Sequence, residues 1–326
     1  MQKIKNRFWG LFLAALAMGL FTGGAYAQPQ EVVIGTYVNK IQDLDFPDNK
    51  YVIDFYLWFR WKAEGTLADY NPMESFEIMN GTIESKEAQD AMLIGDVMYA
   101  QARVSAIMNE NWQMAKFPFD SHSMTVNIED NSLTTKDLVF VNDKNNSKLG
   151  DEISIAGWDA TNFSTEVMTK VYQTNYGDIS QPSDARSDYS RYMIKMSIER
   201  QSYGSAMKLL STVLLATAVA FLAFVVKPSD LDARFGMGVG SLFAVAASAF
   251  IAAASVPDSG VMTIADNVHM IAFAFIFTSL LVSTVGLKLE VNGREELAYR
   301  IDRYCLAIFP LGYFGWTAWE IWKALA

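Results

Sequence analysis

Cysteine and histidine are scarce in this chain, which has one Cys and two His among 326 residues. One cysteine cannot form an internal disulfide, so a scaffold stapled by disulfide bonds is excluded. Positive charge is also in short supply, with 26 Lys and Arg against 36 Asp and Glu and a formal net charge of −10. A nucleic-acid-binding protein needs a basic surface to meet phosphates, and we therefore expect no nucleic-acid partner.

Signatures of metal- and phosphate-dependent enzymes are missing as well. The two histidines, His122 and His269, are far apart, no Cys/His cluster has metal-ligand spacing, and no Gly-rich phosphate loop is present. We expect a protein that is not an enzyme and holds no cofactor, with modulation by Ca²⁺ as an alternative that its acidic residues leave open.

Hydrophobic residues make up 51% of the chain, but they are distributed unevenly. They concentrate at positions 8–20 and 204–326, while the segment between these stretches has the composition of an ordinary soluble β domain. The distribution predicts a membrane protein with a folded soluble half.

The amino terminus has the features of a secretion signal. A basic start precedes the apolar run 8–20, which is too short to cross the roughly 30 Å of membrane hydrocarbon. Ala25-Tyr26-Ala27 then has the small-x-small pattern that signal peptidase accepts. We predict a signal peptide over 1–27, with an uncleaved anchor helix as the alternative.

Residues 28–203 follow a period of two. In 51–61 the large apolar side chains alternate with polar or amphipathic ones, which is typical of a half-buried strand. Weaker runs of the same kind are separated by turn-rich stretches such as 142–150. Many strands and few helical patterns predict an immunoglobulin-like β-sandwich of two sheets.

Residues 204–326 contain four apolar segments, each near the 20 residues that a membrane-spanning helix needs. These segments are 206–226, 235–256, 268–287 and 304–322. Lys and Arg flank the first and third connecting loops, whereas the second, 257–260, has none. The positive-inside rule predicts that the first and third loops are cytoplasmic and that the β domain lies across the lipid bilayer, in agreement with the signal peptide.

Two short motifs connect these halves. Phe117-Pro118-Phe119-Asp120 reads locally as a tight turn, and Arg200-Gln201 directly precedes the first apolar segment. A β-sandwich, this loop, the Arg-Gln pair and four spans, in that order, resemble the pentameric ligand-gated ion channels. The bacterial branch is the better match, because Glu110 and Met124 stand where animal members have two bridging cysteines.

The resemblance covers nearly the whole mature chain. Residues 51–61 resemble the family's second strand, 157–163 the entry to its ninth, and 197–201 the end of its tenth. Residues 256–263 resemble its extracellular loop between the second and third spans. The family's Trp-x-Pro segment is absent after Trp61. The resemblance implies a homopentamer in the bacterial inner membrane, with periplasmic β-sandwiches and permeant ions as its cargo.

The second apolar segment is rich in Gly, Ala and Ser, which suits either close packing in a helix bundle or the wall of a pore. If Pro257 matches the proline that closes the family's second span, one helix face is assigned to the pore. Spacings of four and three residues place that face in a single stripe. The predicted pore-lining residues are Asp232, Gly236, Gly240, Phe243, Ala247 and Phe250.

The side chains on this stripe suggest a gate and a filter. Rings of Phe243 and Phe250 would close a pore by dewetting, and a ring of Asp232 would favour cations. Packing of the two Phe residues against neighbouring helices, and a solvated loop for Asp232, are the alternatives. Arg234 lies close by and is expected to turn toward a neighbour or the lipid headgroups.

The resemblance also implies a gating junction between the domains. Arg200 is expected to pair with Asp120 and with an acid of the first hairpin loop, while Phe117 and Pro118 press on the loop around Pro257. Static anchoring of the two domains is the alternative. The residues assigned to this junction are Asp43, Asp45, Phe117, Pro118, Phe119, Asp120, Arg200 and Pro257.

A ligand pocket is implied between subunits, under the hairpin 176–189. Aromatic faces and carboxylates there would cage a cation, although half-buried strand residues look the same in sequence. The candidate ligand-binding residues are Trp58, Glu129, Asp130, Tyr172, Tyr176 and Tyr189. An amine, Ca²⁺ and a proton all remain open as effectors.

A membrane-anchored periplasmic sensor that never conducts is the competing prediction. It would keep the β-sandwich and use the spans for assembly alone. Asp266 and His269 are predicted as a helix-capping acid and an interfacial histidine, or as groups that titrate near physiological pH.

Overall fold

The computed structural model describes residues 28–325 except 178, 181, 183 and 184, so the predicted signal peptide over 1–27 lies outside the described residues. Strands fill the first half of the described chain and long helices the second. The strands are β1 (Gln30–Asp45), β2 (Lys50–Trp61), β3 (Phe76–Ile78), β4 (Gly81–Ala88), β5 (Met92–Ile94), β6 (Val97–Asn109), β7 (Ser121–Asp130), β8 (Leu138–Asn142), β9 (Lys148–Leu149), β10 (Trp158–Tyr172) and β11 (Ser187–Arg200). The long helices are α1 (Ser202–Phe221), α2 (Leu231–Ala253), α3 (Ile264–Val291) and α4 (Glu295–Leu325).

The strands form two sheets. The larger sheet has the order β4-β6-β2-β1-β8, with β5 beside β6 and β9 beside β1. The smaller sheet has the order β10-β11-β7-β3. Strands β8 and β9 run parallel to β1, and the other pairs are antiparallel. The predicted two-sheet β domain is therefore present.

Strand β2 shows why the sheets pack as they do. Its side chains alternate strictly between buried and half-buried positions, as the period of two predicts. Ile53, Phe55 and Leu57 are fully buried in one cluster with Val126 of β7 and Ile194 of β11. Each inward apolar side chain adds about 1.5–3 kcal/mol by leaving water, so the alternation fixes which face becomes the core.

Three helices in the described part of the chain, α1 with its short 3₁₀ extension, α2 and α3, are long and apolar enough to cross a membrane. Helix α4 has 31 residues but is not among them; charged residues occupy its first turns, and Glu320 and Lys323 lie near its end. The fourth span thus stays a prediction. All four helices share one apolar cluster that includes Val213, Val245 and Tyr313.

Candidate functional site

The junction between the sheets and the helices is built around a buried ion pair. Strand β7 begins at Ser121 and pairs with Glu199 of β11, which places Asp120 beside Arg200. The Arg200 Nε donates to Asp120 Oδ1 at 2.8 Å and its Nη2 donates to Oδ2 at 3.1 Å. The carboxylate is completely buried. Two parallel charge-assisted bonds fix the guanidinium at the end of β11, one residue before the Gln201 that precedes α1.

His122 is a second partner of the same carboxylate. Its Nε2 lies 2.6 Å from Asp120 Oδ2, and its ring packs among those of Phe46, Trp112 and Trp158. Burial tends to raise the pKa of Asp120, but the hydrogen bonds from His122 and Arg200 outweigh it and hold that pKa below its usual range. The carboxylate therefore stays ionised at neutral pH.

Arg200 also lies over aromatic rings. Its guanidinium carbon is 4.2 Å from the ring centre of Trp158, 5.2 Å from that of Phe117 and 5.5 Å from that of Phe46. Cation–π contacts of this kind stabilise a desolvated guanidinium by roughly 1–2 kcal/mol each. The arginine thereby ties the Phe-Pro-Phe-Asp loop to the β1–β2 hairpin and to β10.

The expected pairing of Arg200 with Asp43 or Asp45 is not among the ion pairs of the described residues. Asp45 instead accepts a hydrogen bond from the Asp48 amide and lies 3.7 Å from Lys50 Nζ, so the hairpin uses this acid to hold its own turn. Asp43 and Asp45 do line an open cavity of about 610 Å³ that also borders Arg200.

The Phe-Pro-Phe-Asp loop touches the helices through its main chain. The Phe117 carbonyl accepts a hydrogen bond of 3.2 Å from the Ala265 amide, in the first turn of α3. Amides in the first turn of a helix have no partner within it, so this bond satisfies a donor that would otherwise be free. Phe119 packs against the helix cluster, and Pro257 is buried. The loop thus contacts the first turn of α3, and its predicted contact with the loop around Pro257 stays a prediction.

Asp266 is a capping acid, as predicted. Its carboxylate accepts from the Thr263 amide and hydroxyl, and the Thr263 hydroxyl accepts from the Asp266 amide. His269 is buried rather than interfacial in the described chain, with Nδ1 at 2.7 Å from the Ala265 carbonyl and Nε2 at 2.9 Å from the Ser248 hydroxyl of α2.

Helix α2 has two opposite faces. The buried residues follow the same spacing of four and three residues as the predicted pore stripe and are Arg234, Gly238, Ser241, Val245, Ser248 and Ala252. At about 100° per residue, the stripe predicted to line a pore lies about 180° around the helix from them. All six residues of that stripe are exposed in the single chain, Phe243 at 71% and Phe250 at 75%. They do not pack against the other helices of their own chain.

The three tyrosines of the predicted pocket come together. The ring of Tyr172 lies 6.2 Å from that of Tyr176 and 5.8 Å from that of Tyr189, both edge-on. The Tyr172 hydroxyl donates to Glu129 at 3.2 Å. Part of the hairpin above them lies outside the described residues.

Arg191 neutralises the carboxylate in this cluster. Its Nε donates to Glu129 Oε1 at 2.5 Å and its Nη2 donates to the Tyr172 hydroxyl at 2.8 Å. Glu129 is 2% exposed. An amine would have to displace this half-buried guanidinium to reach the carboxylate. The predicted cage around a cation stays a prediction.

Asp130 and Trp58 lie elsewhere. The Asp130 carboxylate accepts from the Ser75 hydroxyl and from the Ser132 and Leu133 amides, so it anchors the turn after β7 instead of facing the tyrosines. Trp58 lies on the larger sheet, where its Nε1 donates to Asp143 at 3.1 Å. A role for Trp58 in a neighbouring subunit's pocket stays a prediction.

Glu77 of β3 was missed in the sequence. It pairs in register with Glu129, and partial burial together with the charges of Glu129 and Asp130 raises its pKa. No group of three His, Cys, Asp or Glu side chains within the described residues is arranged to hold a metal ion. Modulation by Ca²⁺ stays a prediction without a site.

Sequence comparison adds to this geometry. No family model matches the chain. A proton-gated ion channel of Gloeobacter violaceus is 22% identical over 301 residues, which cover 87% of this chain and 80% of the relative. The chain resembles an ion channel through both its halves. A share of that size cannot fall within the sheets or the helices alone, so the similarity supports the resemblance that the motifs indicate.

Proposed function

We propose that the chain is the subunit of a homopentameric, cation-selective ligand-gated channel in the bacterial inner membrane, with its β-sandwich in the periplasm. The observation that carries the proposal is the exposed stripe on α2, where small residues alternate with Phe243 and Phe250. A helix face that does not pack against the other helices of its own chain must contact lipid, a neighbouring subunit or water. Glycine on a lipid-facing surface gains nothing from burial, whereas small residues widen a pore.

Asp232 sets the proposed selectivity. It is exposed and lies on the same face as Gly236 and Gly240. Two unit charges about 6 Å apart in water interact by roughly 0.7 kcal/mol, so a ring of five carboxylates attracts a cation by several kT before screening. Such a ring disfavours anions at the cytoplasmic mouth.

The junction around Asp120 transmits the opening signal in this proposal. Arg200 ends β11 and is joined to α1 through Gln201 alone, and the Phe117 carbonyl accepts a hydrogen bond from α3. A displacement of the smaller sheet therefore acts on both helices that flank the pore helix. A ligand opens the pore by binding the open state more tightly than the closed one.

Protons are the proposed effector. The relative is named a proton-gated channel, and Glu77 has a raised pKa next to the Glu129–Arg191 pair. The occupation of Glu129 by Arg191 weighs against an amine.

Recording from purified protein in planar bilayers tests the proposal. We expect steps from pH 7 to pH 4.5 on the periplasmic side to evoke currents that reverse near the cation equilibrium potential. Cysteines placed at Gly240 and Ala247 are expected to react with aqueous thiol reagents at acidic pH. Silence under every acid step, together with unreactive cysteines, would instead favour the non-conducting sensor.

A further inference from the structure

Two opposite charges at the cytoplasmic end of α2 point in opposite directions. Asp232 is exposed on the proposed pore face, whereas Arg234 is fully buried. Positions two apart on a helix differ by about 200°, so the acid and the base cannot share a face. Something in the protein interior must accept the guanidinium.

The backbone before α2 supplies part of that acceptor. The Arg234 Nε donates to the carbonyls of Val226 and Lys227, each at 3.1 Å, and its Nη2 donates to the Val226 carbonyl at 2.5 Å. These bonds hold the side chain under the α1–α2 loop. They do not cancel its charge.

Asp302 of α4 cancels it. The Arg234 Nη1 donates to Asp302 Oδ1 at 3.1 Å and Nη2 donates to Oδ2 at 2.5 Å, in the two-pronged geometry that suits a carboxylate. Asp302 is 3% exposed, while its neighbours Arg300 and Arg303 are exposed. A buried guanidinium without this carboxylate would carry an uncompensated charge.

We propose that Asp302 is a positioning residue for ion selectivity, which pairs with Arg234 and thereby keeps the charge nearest in sequence to Asp232 neutralised and away from the pore axis. The inference rests on the proposed cation channel. It assigns a selectivity role to Asp302, which lies on the last helix of the chain and not on the predicted pore-lining stripe.

The reversal potential under a salt gradient tests this proposal in the full-length channel. We expect Asp302→Asn to lower the cation-to-anion permeability ratio about three- to tenfold, since five uncompensated positive charges near the proposed Asp232 ring repel cations and attract anions. The double variant Arg234→Gln/Asp302→Asn removes both charges and should return to the parental range. Glu296→Gln removes an exposed acid from the same helix and serves as the matched control.

A purely structural role for Asp302 would change channel number or open time but not the reversal potential. The proposal is overturned by an unchanged reversal potential in Asp302→Asn while Asp232→Asn shifts it, and equally by a double variant as altered as the single one. If Asp302→Asn does not assemble alone, the reversal potential is measured in channels that mix variant and parental subunits. A reversal potential that does not change with the proportion of variant subunits overturns the proposal. If the parental channel does not discriminate cations from anions, or if Asp232→Asn leaves the reversal potential unchanged, the proposed cation selectivity is wrong. The proposed role of Asp302 is then wrong as well.

Discussion

Asp120 is a carboxylate with two cationic or potentially cationic neighbours and no contact with water. Its bonds to Arg200 are bidentate, and its bond to His122 comes from the other side. The ring of His122 is enclosed by aromatic side chains, and its Nδ1 has no hydrogen-bond partner in the described chain. A substitution at Asp120 therefore removes a hydrogen-bond partner from both Arg200 and His122.

Replacement of either member of the ion pair is expected to abolish acid-evoked current. Asp120→Ala leaves the Arg200 guanidinium without its carboxylate, and Arg200→Ala leaves the buried Asp120 carboxylate with His122 as its remaining partner. Breaking a buried ion pair costs about 3–5 kcal/mol. Voltage-clamp recording with surface labelling separates gating from assembly. Asp48→Ala, which removes only an exposed partner of Lys50, is the control and should respond fully. Full responses in both junction variants would show that the pair merely anchors the domains.

Glu77 offers a signed test of proton sensing. Because its pKa is raised, it takes up a proton at higher pH than an ordinary glutamate, so acidification neutralises it early. Gln resembles the protonated carboxyl, and Glu77→Gln is therefore expected to move half-maximal activation to higher pH and to flatten the pH response. Glu84→Gln, an exposed acid on β4, should leave the curve in place. A curve for Glu77→Gln that matches the parent contradicts a role for this group.

At the scale of elements, sequence periodicity was sufficient for β2, whereas the assignment of a face of α2 also needed the match of Pro257 to the family's proline, and the pore-lining role of that face stays a prediction. Burial follows a period of two in the first and repeats of four and three residues in the second, and each is a local property of the backbone geometry. The pairs Glu129–Arg191 and Arg234–Asp302 could not be predicted. The first depends on the register between β7 and β11, and the second on how α4 packs on α3 and on the end of α1. Strand register and helix packing both depend on two segments that are distant in sequence, so the pattern of one segment does not predict them.

The proposed gate at the exposed Phe residues of α2 can be tested by shortening one of these side chains. We expect Phe243→Ala to conduct at neutral pH, because a ring of small side chains no longer excludes water. Since Phe243 is 71% exposed, its truncation leaves no cavity in the subunit core. Leak current in bilayers is the measurement, and Val245→Ala on the buried face should lower stability without leak. A tight channel in Phe243→Ala would point to Phe residues that pack against neighbours.

For the whole molecule, the proposed channel requires several copies of the chain to assemble around the exposed stripe of α2. A symmetric ring would turn five such stripes toward one axis and leave α4 at the periphery. We expect electron microscopy of the detergent-purified protein to show fivefold particles with an axial opening. A monomer, or a ring without an axial opening, would contradict the proposed channel, which requires a central pore between subunits.

The bond between the Phe117 carbonyl and the Ala265 amide belongs to the polypeptide backbone on both sides. Alanine scanning of the loop would leave it intact, because every substituted residue keeps its carbonyl. The donor is deleted by Ala265→Pro, since proline has no backbone N–H, or by an ester in place of the 264–265 amide. A side-chain substitution at Phe117 therefore removes its ring contacts but keeps this hydrogen bond between the two halves.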